Sequence, residues 1–289
     1  MTYSKILIPL DGSETAELAL PYAKMLAEKT TTLVLFSVCP EDELRLCRLN
    51  SAYLGIQAGV LAQQGFKAIS YTEPGDLAEK IKDYVANEHV DLITVCRQGY
   101  SDLSREEKVL HNLVSENCSL ILIKPGSHKP RISKILLPLD GSIASENVVP
   151  HVIRLAKTAK AEVELLSVNA YPEIPSDRPP SAKPSWEEYA LILMREVREQ
   201  AFAYLERIAK DFLAAGINVK TNVVFGGVAD GIVRAAEDTR ADVIAMATHA
   251  RSGLDRWVFG SIAAAVSSET KLPMLLVRGS ERSISAASR

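Results

Sequence analysis

A chain of 289 residues with 47% hydrophobic and 24% charged residues can bury two cores of roughly 130–150 residues each, which excludes a disordered chain. The formal charge of −3, dispersed Lys and Arg and only 6% aromatics leave no basic stripe or stacking platform for nucleic acid. Met1 leads almost directly into an apolar strand, and the longest uncharged stretch, 49–66, is broken by Asn50, Ser51, Gln57, Gln63, Gln64 and glycines. No secretory leader or membrane span is expected, and the cytoplasm is the expected location.

In chain order, Lys5-Ile-Leu-Ile-Pro-Leu-Asp-Gly-Ser13 reads as a buried strand running into a tight turn. It returns as Lys134-Ile-Leu-Leu-Pro-Leu-Asp-Gly-Ser142, a shift of 129 residues. Ser13 and Ser142 can each cap a helix, with Leu18, Tyr22, Met25 and Leu26 on one apolar face and Val148, Val152, Leu155 and Ala156 on the other. Second strands are predicted over 33–38 and 163–168.

A helix around 54–64 follows in the first half, whereas the second half holds 21 extra residues at this point. Residues 171–184 carry five prolines and read as a surface flap or linker. Ser185-Trp-Glu-Glu188 has capping-box spacing and opens a long helix, with Leu191, Met194, Val197, Ala201, Leu205, Ile208 and Phe212 along one face and a stop near Gly216. Both halves continue with a third strand, a helix (77–88 and 228–239), a fourth strand (91–96 and 242–248), a loop, a last helix and a fifth strand (120–124 and 273–277). The alternation predicts an α/β fold of two tandem doubly wound, Rossmann-like domains, each a five-stranded parallel sheet. Domain 1 spans 1–126, a linker follows, domain 2 spans 132–278, and 279–289 form a solvated tail.

In such sheets ligands sit beyond the carboxyl ends of the strands, where the strand order reverses. That places Asp140, the end of the second strand at Val168 and the loop from Met246 to Ile262 around one crevice. A helix starting at Ser261 behind Gly260 aims unpaired N–H groups at the same place, a feature that suits an anion. His249 and Arg251 are candidate anion contacts, and Trp257 is expected to pack the loop against the sheet. His89, His111, His128 and His151 show no metal-ligand spacing and no metal is expected. Four reduced thiols are the simplest reading of Cys39, Cys47, Cys96 and Cys118; a redox or metal site joining Cys39 and Cys96 is the sharper one.

The paired strand-Asp-Gly-Ser openings, Gly226, Asp242-Val-Ile-Ala-Met-Ala-Thr-His-Ala-Arg-Ser-Gly253, and Gly-Ser261 before a helix and Leu-Pro-Met-Leu-Leu-Val277 together resemble a tandem universal stress protein, UspA-like and of the adenine nucleotide alpha hydrolase-like type. The resemblance covers nearly the whole chain. Family members that bind ATP carry Gly, two residues, Gly, nine residues, then Gly-Ser or Gly-Thr. Aligned so, Ala247 and Ala250 replace the first two glycines, while Gly260 and Ser261 remain. An alanine there costs about 1 kcal/mol if the backbone must be left-handed, and its methyl opposes a close approach of phosphate.

The resemblance implies that Asp140 binds ribose or adenine, that Pro138, Val168 and Met246 line the base pocket, and that Gly260 and Ser261 hold phosphate. The first half keeps Asp11 and Gly99 but has Cys96 at the first glycine and Arg105-Glu-Glu-Lys108 near the phosphate position, where two glutamates repel an anion. It is expected to bind no nucleotide.

The resulting expectation is a stress-response protein whose second domain binds ATP or a related adenine nucleotide as a signal. No general base stands out, so it is read as no enzyme, with slow hydrolysis left open. The alternative is an interaction or scaffold protein of the same fold that binds no nucleotide and uses the 171–184 flap or its surfaces for a protein or an apolar ligand. A third reading is an enzyme acting on a small phosphorylated substrate. In family dimers the fifth strands meet, which here implies an intrachain pseudo-dimer; a homodimer of whole chains is compatible with it.

Overall fold

A computed structural model describes residues 2–97, 118–126, 130–172, 185–249 and 260–279. The first copy runs β1 (Lys5–Pro9), α1 (Glu14–Glu17), α2 (Leu20–Leu26), β2 (Thr32–Cys39), α3 (Leu44–Gln63), β3 (Lys67–Pro74), α4 (Leu77–Glu88), β4 (Leu92–Cys96) and β5 (Ser119–Ile123). The second runs β6 (Lys134–Pro138), α5 (Ile143–Glu146), α6 (Val149–Ala159), β7 (Glu162–Asn169), α7 (Trp186–Ala214), β8 (Val219–Phe225), α8 (Val228–Thr239), β9 (Val243–His249), α9 (Ser261–Glu269) and β10 (Met274–Gly279). The 279–289 tail beyond Gly279, residues 127–129 of the linker and 173–184 of the Pro-rich loop lie outside the described residues.

The strands form one ten-stranded sheet in the order β3-β2-β1-β4-β5-β10-β9-β6-β7-β8. Pairing is parallel within each copy and antiparallel only between β5 and β10, where Leu120 faces Leu276 and Leu122 faces Met274. The two doubly wound halves therefore meet along their fifth strands about a pseudo-twofold axis. Helices α2, α3, α6 and α7 cover one face of the sheet and α4, α8 and α9 the other. Central strands are apolar on both faces, so each fully buried Leu or Ile adds roughly 2–3 kcal/mol.

Arg154 links the halves. Its Nη2 lies 3.0 Å from Asp91 Oδ1 and donates to the Thr2 carbonyl at 2.5 Å, while its guanidinium stands 4.5 Å from the centre of the Tyr3 ring. Lys124 adds bonds from its Nζ to the carbonyls of Ser267 and, at 2.6 Å, Thr270. Asp91 also accepts from the Ser4 and Lys5 amides at 2.6 and 3.0 Å, and Asp242 seats Ser133 and Lys134 at the same two distances. One carboxylate thus anchors the start of the first strand in each copy. Burial pushes the Asp91 carboxyl upward, but its bonds to Ser4 and Lys5, with the Arg154 charge, outweigh that and hold it below the usual carboxylate value.

Several sequence expectations are corrected. The helix behind each first strand is two pieces, α1 and α2 or α5 and α6, because Pro21 and Pro150 cannot donate to the turn before them. Leu18 consequently stands 41% exposed instead of on the apolar face. The first-half helix starts at Leu44, ten residues before the expected start, and buries only Leu54 and Leu61. The capping box at Ser185 forms, with Glu188 accepting from the Ser185 amide at 2.8 Å. Only the second half of α7 reaches the core: Leu205, Ile208 and Phe212 are buried, but Leu191 is 65% exposed.

The four thiols are also not all free. Cys39 and Cys47 form a disulfide with their Cα atoms 5.3 Å apart, while Cys96 and Cys118 are buried and stand outside it. The early start of α3 sets Cys47 beside the end of β2, whereas β1 separates β2 from β4 and keeps Cys39 from pairing with Cys96. Among the described residues no group of His, Cys, Asp and Glu is placed to hold a metal, and no helix is long and apolar enough to cross a membrane.

Candidate functional site

In the second copy β6 has β7 on one side and β9 on the other, so the strand order reverses at β6. A cleft of about 330 Å³ opens there at the carboxyl ends of the strands. Pro138 and Asp140 enter it from the end of β6, Val168 from β7, Met246 and Ala247 from β9, and Gly260 and Ser261 from the start of α9. Seven of the eight residues singled out in the sequence thus line one cavity. The eighth, Ala250, lies outside the described residues, as do Arg251 and Trp257.

Local chemistry explains each position. Gly141 has a φ of +83°, a left-handed turn that L side chains resist, and it reverses the chain directly after the strand. Asp140 Oδ1 accepts from the Ser142 amide at 2.9 Å and from the Ser142 hydroxyl at 2.6 Å, and Ser142 Oγ in turn accepts from the Ser145 amide, capping α5. The carboxylate is thereby held at the cleft rim. Gly260 caps α9 with a φ of −52° and a ψ of 147°, and the helix that follows presents its amide-rich end to the cleft. Val168, Ile232 and Met246 give an apolar wall.

The backbone reason for disfavouring Ala247 does not hold. Among the described residues the left-handed non-glycine positions are His89, Lys160 and Arg240, and Ala247 lies in extended β9, paired with Val277 of β10. The strand runs one residue beyond the predicted end, to His249, and Ala247 lies inside it, as it did in the predicted strand. Only the volume of the methyl group remains as an obstacle.

Sequence reasoning missed Ser145, Val228 and Ile232 in the lining. It also missed Gly231, whose absent side chain lets α8 approach β7: a Cβ there would stand 2.7 Å from Val168 Cγ1. The available signal was a glycine in the middle of an otherwise regular helical pattern.

The first copy repeats the turn, with Gly12 at a φ of +85° and Asp11 Oδ1 accepting from the Ser13 amide at 2.9 Å. Cys96 ends its fourth strand and is buried. Gly99 and the 105–108 segment lie outside the described residues.

The model of the universal stress protein family matches residues 2–119 and 131–278. Universal stress protein MJ0531 of Methanocaldococcus jannaschii is 32% identical over 148 residues, half of this chain and 81% of that protein. Universal stress protein MJ0577 of the same organism is 33% identical over 153 residues, again half of this chain and 94% of that protein. Among solved structures, a protein of unknown function from Pseudomonas aeruginosa superposes with a TM-score of 0.68 at 21% identity, covering 96% of this chain and 93% of its own. A universal stress protein from Archaeoglobus fulgidus gives 0.62 at 18% identity, over 95% and 96%. Both show likeness of fold across the two copies.

Proposed function

The chain belongs to the universal stress protein family, and on that premise we propose that its second domain binds an adenine nucleotide in the Asp140–Ser261 cleft and works as a cytoplasmic sensor, not as an enzyme. The observation that carries the reading is the meeting of Asp140, an apolar wall and the amino end of α9 around one cavity of about 330 Å³. Val168, Ile232 and Met246 suit a flat apolar base, the Asp140 carboxylate suits a ribose hydroxyl donor, and the α9 amides suit phosphate. The volume fits a nucleoside with its phosphates at the mouth. Asp140 is the one ionisable residue in the described lining, and it is already engaged by Ser142, which speaks for binding over turnover.

The test is to denature freshly purified protein, identify released small molecules by mass spectrometry and titrate ATP calorimetrically in parallel. About one adenine nucleotide per chain is expected, with Asp140→Asn weakening affinity about ten- to a hundredfold, as a charged hydrogen bond is worth roughly 1.5–3 kcal/mol. Asparagine keeps an oxygen for the Ser142 turn, so the fold should survive. An empty extract and no heat with ATP would reject the reading.

A second reading rests on the exposed apolar residues of α7, where Leu191 and Ile192 are 65% and 37% exposed and Phe202 is 44% exposed. An apolar stripe of this kind suits a protein partner.

A further inference from the structure

The disulfide pair lies outside the proposed nucleotide cleft and has its own chemistry. We propose that Cys39 and Cys47 are a reversible dithiol–disulfide site that reacts with hydroperoxides, with Cys47 as the attacking sulfur and Cys39 as the resolving one. Cys39 is the last residue of β2 and is 1% exposed, while Cys47 sits in the first turns of α3, only half-buried. Their Cα atoms are 5.3 Å apart, inside the span that a disulfide bridges without moving the backbone.

The surroundings keep the two sulfurs adjacent without the bond. Asn50 Nδ2 donates to the buried Ser37 hydroxyl at 3.0 Å, pinning α3 to β2, and the Gly75 amide donates to the Cys39 carbonyl at 3.0 Å. A reduced Cys39 also has an acceptor, the Glu73 carbonyl, 3.5 Å from its sulfur. Both oxidation states therefore fit one backbone.

Accessibility sets the order of attack. An oxidant arriving from solvent meets Cys47 first, because Cys39, Cys96 and Cys118 are all buried. Burial also pushes the Cys118 thiol far above its ordinary value, which leaves it inert.

The Cys47 thiolate attacks the outer oxygen of the hydroperoxide, forming an S–O bond and breaking the O–O bond; the alcohol, or water, leaves with a proton, and Cys47 becomes a sulfenic acid. The Cys39 sulfur then attacks the Cys47 sulfur, forming S–S as the S–O bond breaks, and hydroxide departs with the Cys39 proton as water. Two thiols are oxidised by two electrons, the peroxide is reduced, and a small dithiol restores the pair by exchange. The second copy has Asn169 at the matching strand end and no cysteine in its sequence, so the fold does not need the bond.

The full chain would be reduced, freed of reductant without air, treated with one equivalent of hydrogen peroxide, trapped with N-ethylmaleimide and mapped by peptide mass spectrometry. A crosslinked Cys39–Cys47 peptide is expected, reversed by dithiothreitol in the native protein, with Cys96 and Cys118 alkylated only after denaturation. Cys39→Ser should halt at a Cys47 sulfenic acid captured by dimedone. Free thiols at both positions after peroxide, oxidation falling on Cys96 or Cys118, or a bond that dithiothreitol opens only in denaturant would each overturn the proposal. The mapping of the unaltered chain decides the matter even if the variant folds poorly.

Discussion

Replacing Gly231 by alanine sets two effects of known sign against each other. In an ordinary exposed helix the change raises stability by about 1 kcal/mol, because glycine loses more backbone freedom on folding. Here the new Cβ would stand 2.7 Å from Val168 Cγ1 and 3.3 Å from Cγ2. Carbon atoms rest at about 3.5–4.0 Å, so Val168 must retreat by about 1 Å, and its branched side chain has few rotamers in which to do so. Overpacking of this size costs about 1–3 kcal/mol, leaving a net loss of roughly 0–2 kcal/mol. Val168 lines the cleft, so its retreat should disturb the wall and lower nucleotide affinity about tenfold, equivalent to about 1.4 kcal/mol. Urea denaturation and calorimetry of the single variant, of Val168→Ala and of the double variant supply the assay. The double variant should be more stable than the sum of the singles by about 1 kcal/mol or more. A simple gain of about 1 kcal/mol in Gly231→Ala, with no coupling to Val168, would refute the packing argument.

Other consequences are equally direct. Arg154→Met, which installs the residue that the first copy has at Met25, should cost about 1–2 kcal/mol in urea denaturation, since the Arg154 and Asp91 side chains are only 22% and 20% exposed. Because the Asp91 carboxyl lies below its unfolded value, its contribution is complete above that value, near pH 4, and is lost as pH falls through the folded one. Denaturation from pH 7 down to pH 3 should therefore show a smaller decline in Arg154→Met than in the parent. Reducing the Cys39–Cys47 bond, which spans eight positions, should cost about 2–3 kcal/mol by loop entropy, seen as a drop in Tm with dithiothreitol that Cys47→Ser does not show. Ala247→Gly should leave ATP affinity within about threefold of the parent, because the site needs no left-handed backbone there; a gain above tenfold would show that the methyl group blocks phosphate.

Much of the architecture was readable because it depends on short-range chemistry. Helices α4 and α8 fall at the expected residues, 77–88 and 228–239, since each is bounded by left-handed glycine before it and a left-handed cap, His89 or Arg240, after it. The site was legible for a related reason. A duplicated Asp-Gly-Ser after an apolar strand and a Gly-Ser before a helix mark the carboxyl edge of a doubly wound sheet, and seven named residues do line one cleft. Where reading failed, a non-local contact decided the outcome. Leu191 carries the helical period of Leu205 and Phe212, yet the sheet ends before it and leaves it in solvent.

By itself the sequence determined the two copies, the strand and helix alternation and the turn chemistry at Asp140, because those follow from residue type and spacing along a single segment. Only the tertiary structure decided that Cys39 meets Cys47 and not Cys96, that Gly231 exists to admit Val168, and that Arg154 bridges to Asp91 where Met25 makes no such link. Each of these depends on distances between segments far apart or differently packed in the fold. Such distances arise from how helices seat on a sheet, and no periodicity within one segment encodes them.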